Sequence, residues 1–102
     1  MEYELAVSDN PKKKLMVTFV NPESKRLNTI HFGANPYSDF LQSQDEERKR
    51  LYRIRHADDK IDDLTKSGAW SWHLLWNKNT LRKSINDMEK KFNISITINL
   101  KS

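Results

Sequence analysis

The last quarter of the chain contains the pattern that most restricts its fold. Apolar and polar residues alternate without interruption from position 94 to 100, with apolar side chains at Ile94, Ile96, Ile98 and Leu100. A period of two is typical of a strand with one buried face. Just before it, apolar side chains recur at helical spacing, at Leu81, Ile85, Met88 and Phe92, behind a cap at Asn79 or Thr80. A helix running into a half-buried strand predicts that the strand returns to a sheet formed by earlier segments.

The first third of the chain supplies the rest of that sheet. Short apolar or alternating segments occupy residues 4–7, 14–20 and 27–32, and the last of them ends at Gly33. Turn chemistry separates them, because Asp9-Asn10-Pro11 and Asn21-Pro22 combine side chains that bond their own backbone with prolines that fix φ. Short strands joined by tight turns predict an antiparallel meander.

The middle of the chain reads as helical. The run Ser43-Gln44-Asp45-Glu46 has the form of a capping box, so we expect a helix from about 44 to about 57. The apolar segment 69–76 has helical spacing at Trp72 and Trp76, although the pattern alone leaves a strand open. The prediction is an α+β fold in the order β-β-β-α-α-α-β, with an antiparallel sheet of about four strands and helices packed on one face.

Composition limits the chain to one small basic domain over residues 1–102, with 18 Lys+Arg against 14 Asp+Glu and a net charge of +4. The chain has no cysteine, which excludes disulfides, iron–sulfur centres, cysteine zinc sites and a cysteine nucleophile. Its two glycines are too few for most phosphate-binding loops. No apolar run is long enough for a membrane span, and the acidic start is unlike a signal peptide, so we expect neither membrane association nor secretion.

Catalytic and metal-binding patterns are weak. His31, His56 and His73 lack the i, i+4 spacing or the close carboxylates of a metal site. The acidic residues at 58–63 lack the alternating spacing and the glycine of a calcium loop, and no local pairing of a hydroxyl with a histidine stands out. We therefore expect no metal, no cofactor and no catalytic residue, which leaves an enzyme as a remote alternative.

Several blocks in the middle of the chain match a known pattern. They are Phe32-Gly33, Tyr37-Ser38-Asp39-Phe40, the run from Arg48 to His56, residues 68–72 (GAWSW), and residues 75–81 (LWNKNTL). Together they resemble a family of small proteins of unestablished activity found in large, nucleocytoplasmic DNA viruses and in some eukaryotes. The resemblance covers roughly residues 30–92, and it implies a viral, virion-associated protein without implying a mechanism.

Basic residues on the two main helices are candidates for nucleic-acid binding. Arg48, Tyr52 and Arg55 share one helical face, where an arginine fork can grip phosphate and a tyrosine can stack on a base. The alternative is a solvated face paired with nearby acids such as Asp45 and Asp58. A continuous patch requires the helices to be neighbours. The full candidate set is Arg48, Lys49, Arg50, Tyr52, Arg53, Arg55, Lys83 and Lys90.

Aromatic residues are candidates for partner binding. Trp70, Trp72 and Trp76 lie within seven positions, and Tyr37 belongs to an earlier block of the resemblance. The tryptophans either form the core of a domain short of aliphatic residues or leave one member exposed as an anchor. Trp70 lies on a different helical face from the other two, so it is the member expected to be exposed.

The favoured interpretation is a non-catalytic structural or interaction protein of the minor capsid or packaging type, located in the virion or in the host cytoplasm or nucleus. It would bind a protein partner, either a capsid component or a second copy of itself, through the Trp segment and a sheet edge. The alternative is a module that binds DNA or RNA through helices around 44–57 and 79–92.

Overall fold

The computed structural model describes residues 1–35 and 39–100. Its strands are β1 (Glu2–Val7), β2 (Lys13–Val20), β3 (Leu27–Ala34) and β4 (Ser95–Asn99). Its α-helices are α1 (Phe40–Ser43), α2 (Glu46–Arg55), α3 (Ser67–Ser71) and α4 (Leu81–Phe92), and a π-helical turn at Trp72–Trp76 follows α3 directly. The predicted α+β class is confirmed: three strands come first, the helices follow, and one strand closes the chain.

The sheet is mixed, in the strand order β3-β2-β1-β4. β1 pairs antiparallel with β2, and β2 pairs antiparallel with β3, as the turns predict. β4 pairs parallel with β1, with Tyr3 opposite Ile96. A parallel neighbour requires a long crossover, and the helices between β3 and β4 supply it. The predicted antiparallel arrangement is therefore confirmed for β1, β2 and β3 and is wrong for β4.

One face of the sheet is buried beneath the helices. Its apolar side chains include Tyr3, Leu5, Val17, Phe19, Phe32 and Ile96, and they join one cluster with Trp70, Leu74, Leu75, Ile85 and Met88 from the helices. The opposite face has a polar row across all four strands in which none of the side chains is buried, formed by Thr97, Glu4, Thr18 and Thr29. The helices thus cover one face, as predicted.

The start of α2 differs from the prediction. Ser43 is the last residue of a short helix, α1, and Gln44 leaves that helix in the left-handed region at φ 54°. Asp45 is the N-cap of α2, because its Oδ1 accepts hydrogen bonds from the amides of Glu47 (3.0 Å) and Arg48 (3.3 Å). An aspartate caps as well as a serine, and its charge suits the helix dipole.

The Trp segment is helical, which resolves the alternative left open by its pattern. The backbone runs without a break from α3 into the π-helical turn, since Ser71 and Trp72 both have right-handed helical angles. The sheet lies on one side of this segment, where the Trp70 and Tyr3 ring centroids are 5.0 Å apart. α2 lies on another side, where Tyr52 stacks on Trp76. Having neighbours on more than one side, the segment is buried on more than one face.

The predicted C-terminal helix and strand are confirmed. Thr80 is the N-cap of α4, its hydroxyl oxygen accepting from the Lys83 amide at 3.2 Å. Ile85 and Met88 are buried, and Asn93 ends the helix in the left-handed region at φ 55°. Among the helices in residues 1–35 and 39–100, we find none with the length and apolar character to cross a bilayer.

Candidate functional site

A pocket of about 550 Å³ opens between the sheet end formed by β2 and β3, helix α2 and the start of α3. This volume lies within the range typical of small-ligand pockets. The blocks singled out in the sequence converge here, although they are far apart along the chain. The described lining residues are Lys13, Lys14, Phe32, Gly33, Ala34, Asp39, Arg48, Tyr52, Arg55, His56, Asp59, Ser67, Gly68, Ser71, Leu75 and Trp76.

Tyr52 belongs to the wall that α2 contributes, and its ring is enclosed. Trp76 stacks on it at 4.2 Å between centroids with planes 11° apart, and His56 stacks at 4.2 Å and 24°. The phenol donates a hydrogen bond to the Ser71 hydroxyl at 3.2 Å, and burial raises the pKa of Tyr52. Tyr52 is therefore a neutral structural residue, and its covered faces do not offer the stacking surface for a base that its helical position suggested.

The sheet-end wall depends on Gly33 and on a buried ion pair. Gly33 has φ +80°, and a Cβ there would lie 2.7 Å from a Leu75 methyl carbon, so a side chain would be both strained and obstructed. Lys14 Nζ lies 2.6 Å from Asp39 Oδ2 and 2.7 Å from Gln42 Oε1. Asp39 is also the N-cap of α1. The Asp39 carboxylate neutralises the charge of Lys14. Lys14 therefore lines the pocket without offering an unpaired charge to a ligand.

A second acidic side chain closes the pocket at α3. The Asp59 carboxylate accepts from His56 Nδ1 at 3.1 Å. It lies against Gly68, where an added Cβ would come within 2.9 Å of Asp59 Oδ2. The lack of a side chain at Gly68 is what admits the carboxylate. Asp59 and His56 are thus hydrogen-bonding partners of each other.

Two cations of the pocket retain free charge. Among the described residues, the side chains of Lys13 and Arg55 have no hydrogen-bond or ion-pair partner. They come from different elements, β2 and α2. Arg48, which is exposed, also lines the pocket and makes a contact of its own. The described lining contains four Lys or Arg against two Asp, which is a net charge of +2 with His56 neutral. The pocket is suited to an anion.

The other basic candidates on α2 have structural contacts. Lys49 donates to the Asn77 carbonyl oxygen at 2.6 Å and lies 4.9 Å from the centroid of Phe40. Arg50 pairs with Glu47, and this hydrogen bond lowers the pKa of that carboxyl. Arg53 lies over the Trp72 ring at 4.8 Å. These three side chains therefore have contacts within the protein, although their described partners are not Asp45 or Asp58, the acids that the alternative interpretation named.

The basic candidates on α4 lie outside the pocket. Lys83 and Lys90 are exposed on that helix, and neither is among the lining residues. Of the eight nucleic-acid candidates, the structure brings together Arg48, Tyr52 and Arg55, the three that helical spacing had placed on one face.

The tryptophans behave differently from the expectation. Trp70, predicted to be the exposed member, is 0% exposed, and its indole donates to the Leu64 carbonyl oxygen at 2.9 Å. Trp76 is 7% exposed, and Trp72 is the half-buried one. The prediction for Trp70 is wrong because the face that carries it is the one that meets the sheet. Tyr37, the remaining partner candidate, lies outside the described residues.

One contact between a hydroxyl and a histidine escaped sequence reasoning. Ser8 Oγ lies 2.8 Å from His31 Nδ1, and Asp9 Oδ1 lies 3.9 Å from the other ring nitrogen. The strands bring these positions together from 23 residues apart. Ser8 Oγ also accepts from the Asn10 amide, and the Asp9 side chain is 82% exposed. The arrangement thus stabilises the β1–β2 turn. Within residues 1–35 and 39–100, no three acidic, histidine or cysteine residues are grouped as a metal site.

Comparison with known proteins assigns the N-terminal half of the chain to a family. No curated protein and no solved structure matches the chain. A model of a family of unknown function, DUF5754, matches residues 3–56. That match covers more than half of the chain, from β1 through α2, and includes both Lys13 and Arg55 of the pocket. The chain therefore belongs to the DUF5754 family.

Proposed function

We propose that this protein is a non-catalytic module that binds nucleic acid through its basic pocket. The observation that carries the proposal is the free charge of Lys13 and Arg55, which face the same pocket from β2 and α2. Phosphate groups attract such residues, and their neutralisation supplies most of the affinity in sequence-independent binding.

The proposal favours nucleic acid over a protein partner held by the Trp segment. Trp70 and Trp76 are buried, so they offer little surface for an anchor. The net charge of +4 gives the whole molecule an attraction for polyanions. The resemblance to proteins of large DNA viruses would place the module in a virus particle or in the infected cell, and that placement rests on the resemblance alone.

A salt titration tests the proposal. Binding of a labelled single-stranded oligonucleotide is measured by fluorescence anisotropy at several salt concentrations. The affinity should fall steeply as salt rises, because bound counterions are released. Arg55→Gln and Lys13→Gln should each weaken binding and reduce the slope of log affinity against log salt by about one.

The matched control is Lys90→Gln, which removes the same charge from an exposed position on α4 outside the pocket. It should leave both affinity and slope nearly unchanged. Absence of salt-dependent binding in the parent protein, or an equal loss in Lys90→Gln and Arg55→Gln, would refute binding through this pocket.

A further inference from the structure

We infer that the pocket recognises the terminal phosphate of a nucleic-acid strand, a phosphomonoester, in preference to the internal backbone or the bases. This inference rests on the proposed function and specifies its ligand. It follows from three properties of the pocket: its charge, its size and its covered aromatic ring.

The charge of the pocket matches a dianion. The described lining carries a net charge of +2 once the carboxylates of Asp39 and Asp59 are counted. Lys14 pairs with Asp39 at 2.6 Å and His56 is hydrogen-bonded to Asp59 at 3.1 Å. Lys13 and Arg55 have no partner among the described residues, so their charges can face a ligand. An internal phosphodiester carries one negative charge, whereas a phosphomonoester carries about 1.5–2 at neutral pH. A terminal phosphate therefore gains more electrostatic stabilisation from this site than an internal phosphodiester does.

The size of the pocket favours the end of a strand. A volume of about 550 Å³ is that of a single small-ligand site. The sheet end, α2 and the start of α3 line it, with Lys13, Arg55 and Ser67 coming from those three elements. Sites that follow a continuous strand extend over roughly 4–16 nucleotides, whereas a pocket of this volume suits a single terminal nucleotide. The hydroxyls of Ser67 and Ser71 add neutral donors, which phosphate oxygens readily accept.

The rings of Tyr52 and Trp76 do not provide a platform for bases. Tyr52 has His56 against one side and Trp76 against another, both at 4.2 Å between centroids. Trp76 itself is 7% exposed. Stacking on a free ring face is the usual means of holding unpaired bases. Because the ring of Tyr52 has no free face, we expect the pocket to recognise the phosphate group. Binding should therefore be independent of base sequence.

Competition between matched oligonucleotides tests the inference. Oligothymidylates of equal length carry a 5′-phosphate, a 3′-phosphate or hydroxyls at both ends, and each competes with one labelled phosphorylated strand. We expect at least one phosphorylated form to bind ten-fold or more tightly than the hydroxyl form. Arg55→Gln and Lys13→Gln should abolish that difference, and Lys90→Gln should preserve it.

The outcomes separate the inference from the proposed function. Equal affinity for phosphorylated and hydroxyl strands, with salt-dependent binding of both, would overturn the inference and leave the proposed function standing. Failure of all the strands to bind would overturn both. A phosphoserine peptide that competes better than a phosphorylated strand of the same charge would overturn the assignment of the ligand to nucleic acid.

Discussion

The ring of Tyr52 lies flat on the ring of Trp76, with centroids 4.2 Å apart and planes 11° from parallel. Tyr52 is the buried residue of α2, whose other two apolar side chains, Leu51 and Ile54, are exposed among charged residues. The stack thus joins the helix that carries Arg48 and Arg55 to the core. It also places the arginines at the pocket, because they lie one turn before and one turn after Tyr52 on the same face.

Truncating this stack should be costly. Tyr52→Ala removes a buried aromatic ring, and we expect a loss of about 3–5 kcal/mol in the free energy of unfolding. Tyr52→Phe keeps the ring and loses the hydrogen bond to Ser71, so it should cost only about 0.5–1.5 kcal/mol. Denaturant unfolding measures both. Similar losses in the two variants would show that the phenol, and not the stack, holds α2 in place.

The burial of the three tryptophans predicts an order of stability effects. Trp70→Ala removes a fully buried indole and its hydrogen bond to Leu64, at an expected cost of about 3–5 kcal/mol. Trp72→Ala acts at a half-buried position and loses the contact with Arg53, at about 1–3 kcal/mol. Urea midpoints of the two variants at equal slope give the comparison, and a larger loss for Trp72→Ala would contradict this burial order.

The ion pair of Lys14 and Asp39 should show strong coupling. Their side chains are 14% and 6% exposed, and removing one partner of a buried pair leaves an unpaired charge that costs about 3–5 kcal/mol. We expect a loss near the lower end of that range for Lys14→Met, because Asp39 retains its 3.1 Å hydrogen bond from the Gln42 amide. In a double-mutant cycle, Lys14→Met with Asp39→Asn should lose less than the sum of the single variants. Additive losses would rule out the coupling.

His73 should make the protein sensitive to acid. Its ring is fully buried, Nε2 donates to the Ile61 carbonyl oxygen at 2.8 Å, and Nδ1 has no partner among the residues that the structure describes. Burial lowers the pKa of His73 below its ordinary 6.5, and nearby Lys91 lowers it further. The hydrogen bond to Ile61 and the charges of Asp87 and Asp62 raise the pKa and only partly offset these effects. Below pH 6.5 the unfolded chain takes up a proton that the folded protein resists, so stability is present above that pH and is lost as the pH falls.

The measurement is the free energy of unfolding between pH 7.5 and 5, with a slope from this residue of at most about 1.4 kcal/mol per pH unit. His73→Gln should be less stable at pH 7 and should lose this slope. His56→Gln, a change at a histidine whose side chain is 42% exposed, should keep it. An unchanged slope in His73→Gln would assign the acid sensitivity to other groups.

Part of the pocket could be predicted from residue spacing, and part could not. Arg48, Tyr52 and Arg55 recur at i, i+4 and i+7, so their common face follows from the helical repeat. Lys13, Asp39 and Asp59 belong to a strand end, a helix cap and a loop, and local spacing does not relate such positions. One local signal does exist: Asp39 and Gln42 form a capping box, which marks the start of α1.

The sequence alone determined the elements whose identity depends on local periodicity: the strands of the meander, the stripe of α4, and the alternating strand at residues 94–100. Tertiary structure decided the direction of β4, which pairs in parallel with β1, and which tryptophan is only half-buried. Helical spacing gives the angle between Trp70 and Trp72 around the helix axis. It does not predict which other element packs against each of these two side chains. The sheet covers the side of Trp70 and α2 partly covers that of Trp72, because long-range packing, and not local spacing, determines which faces have neighbours.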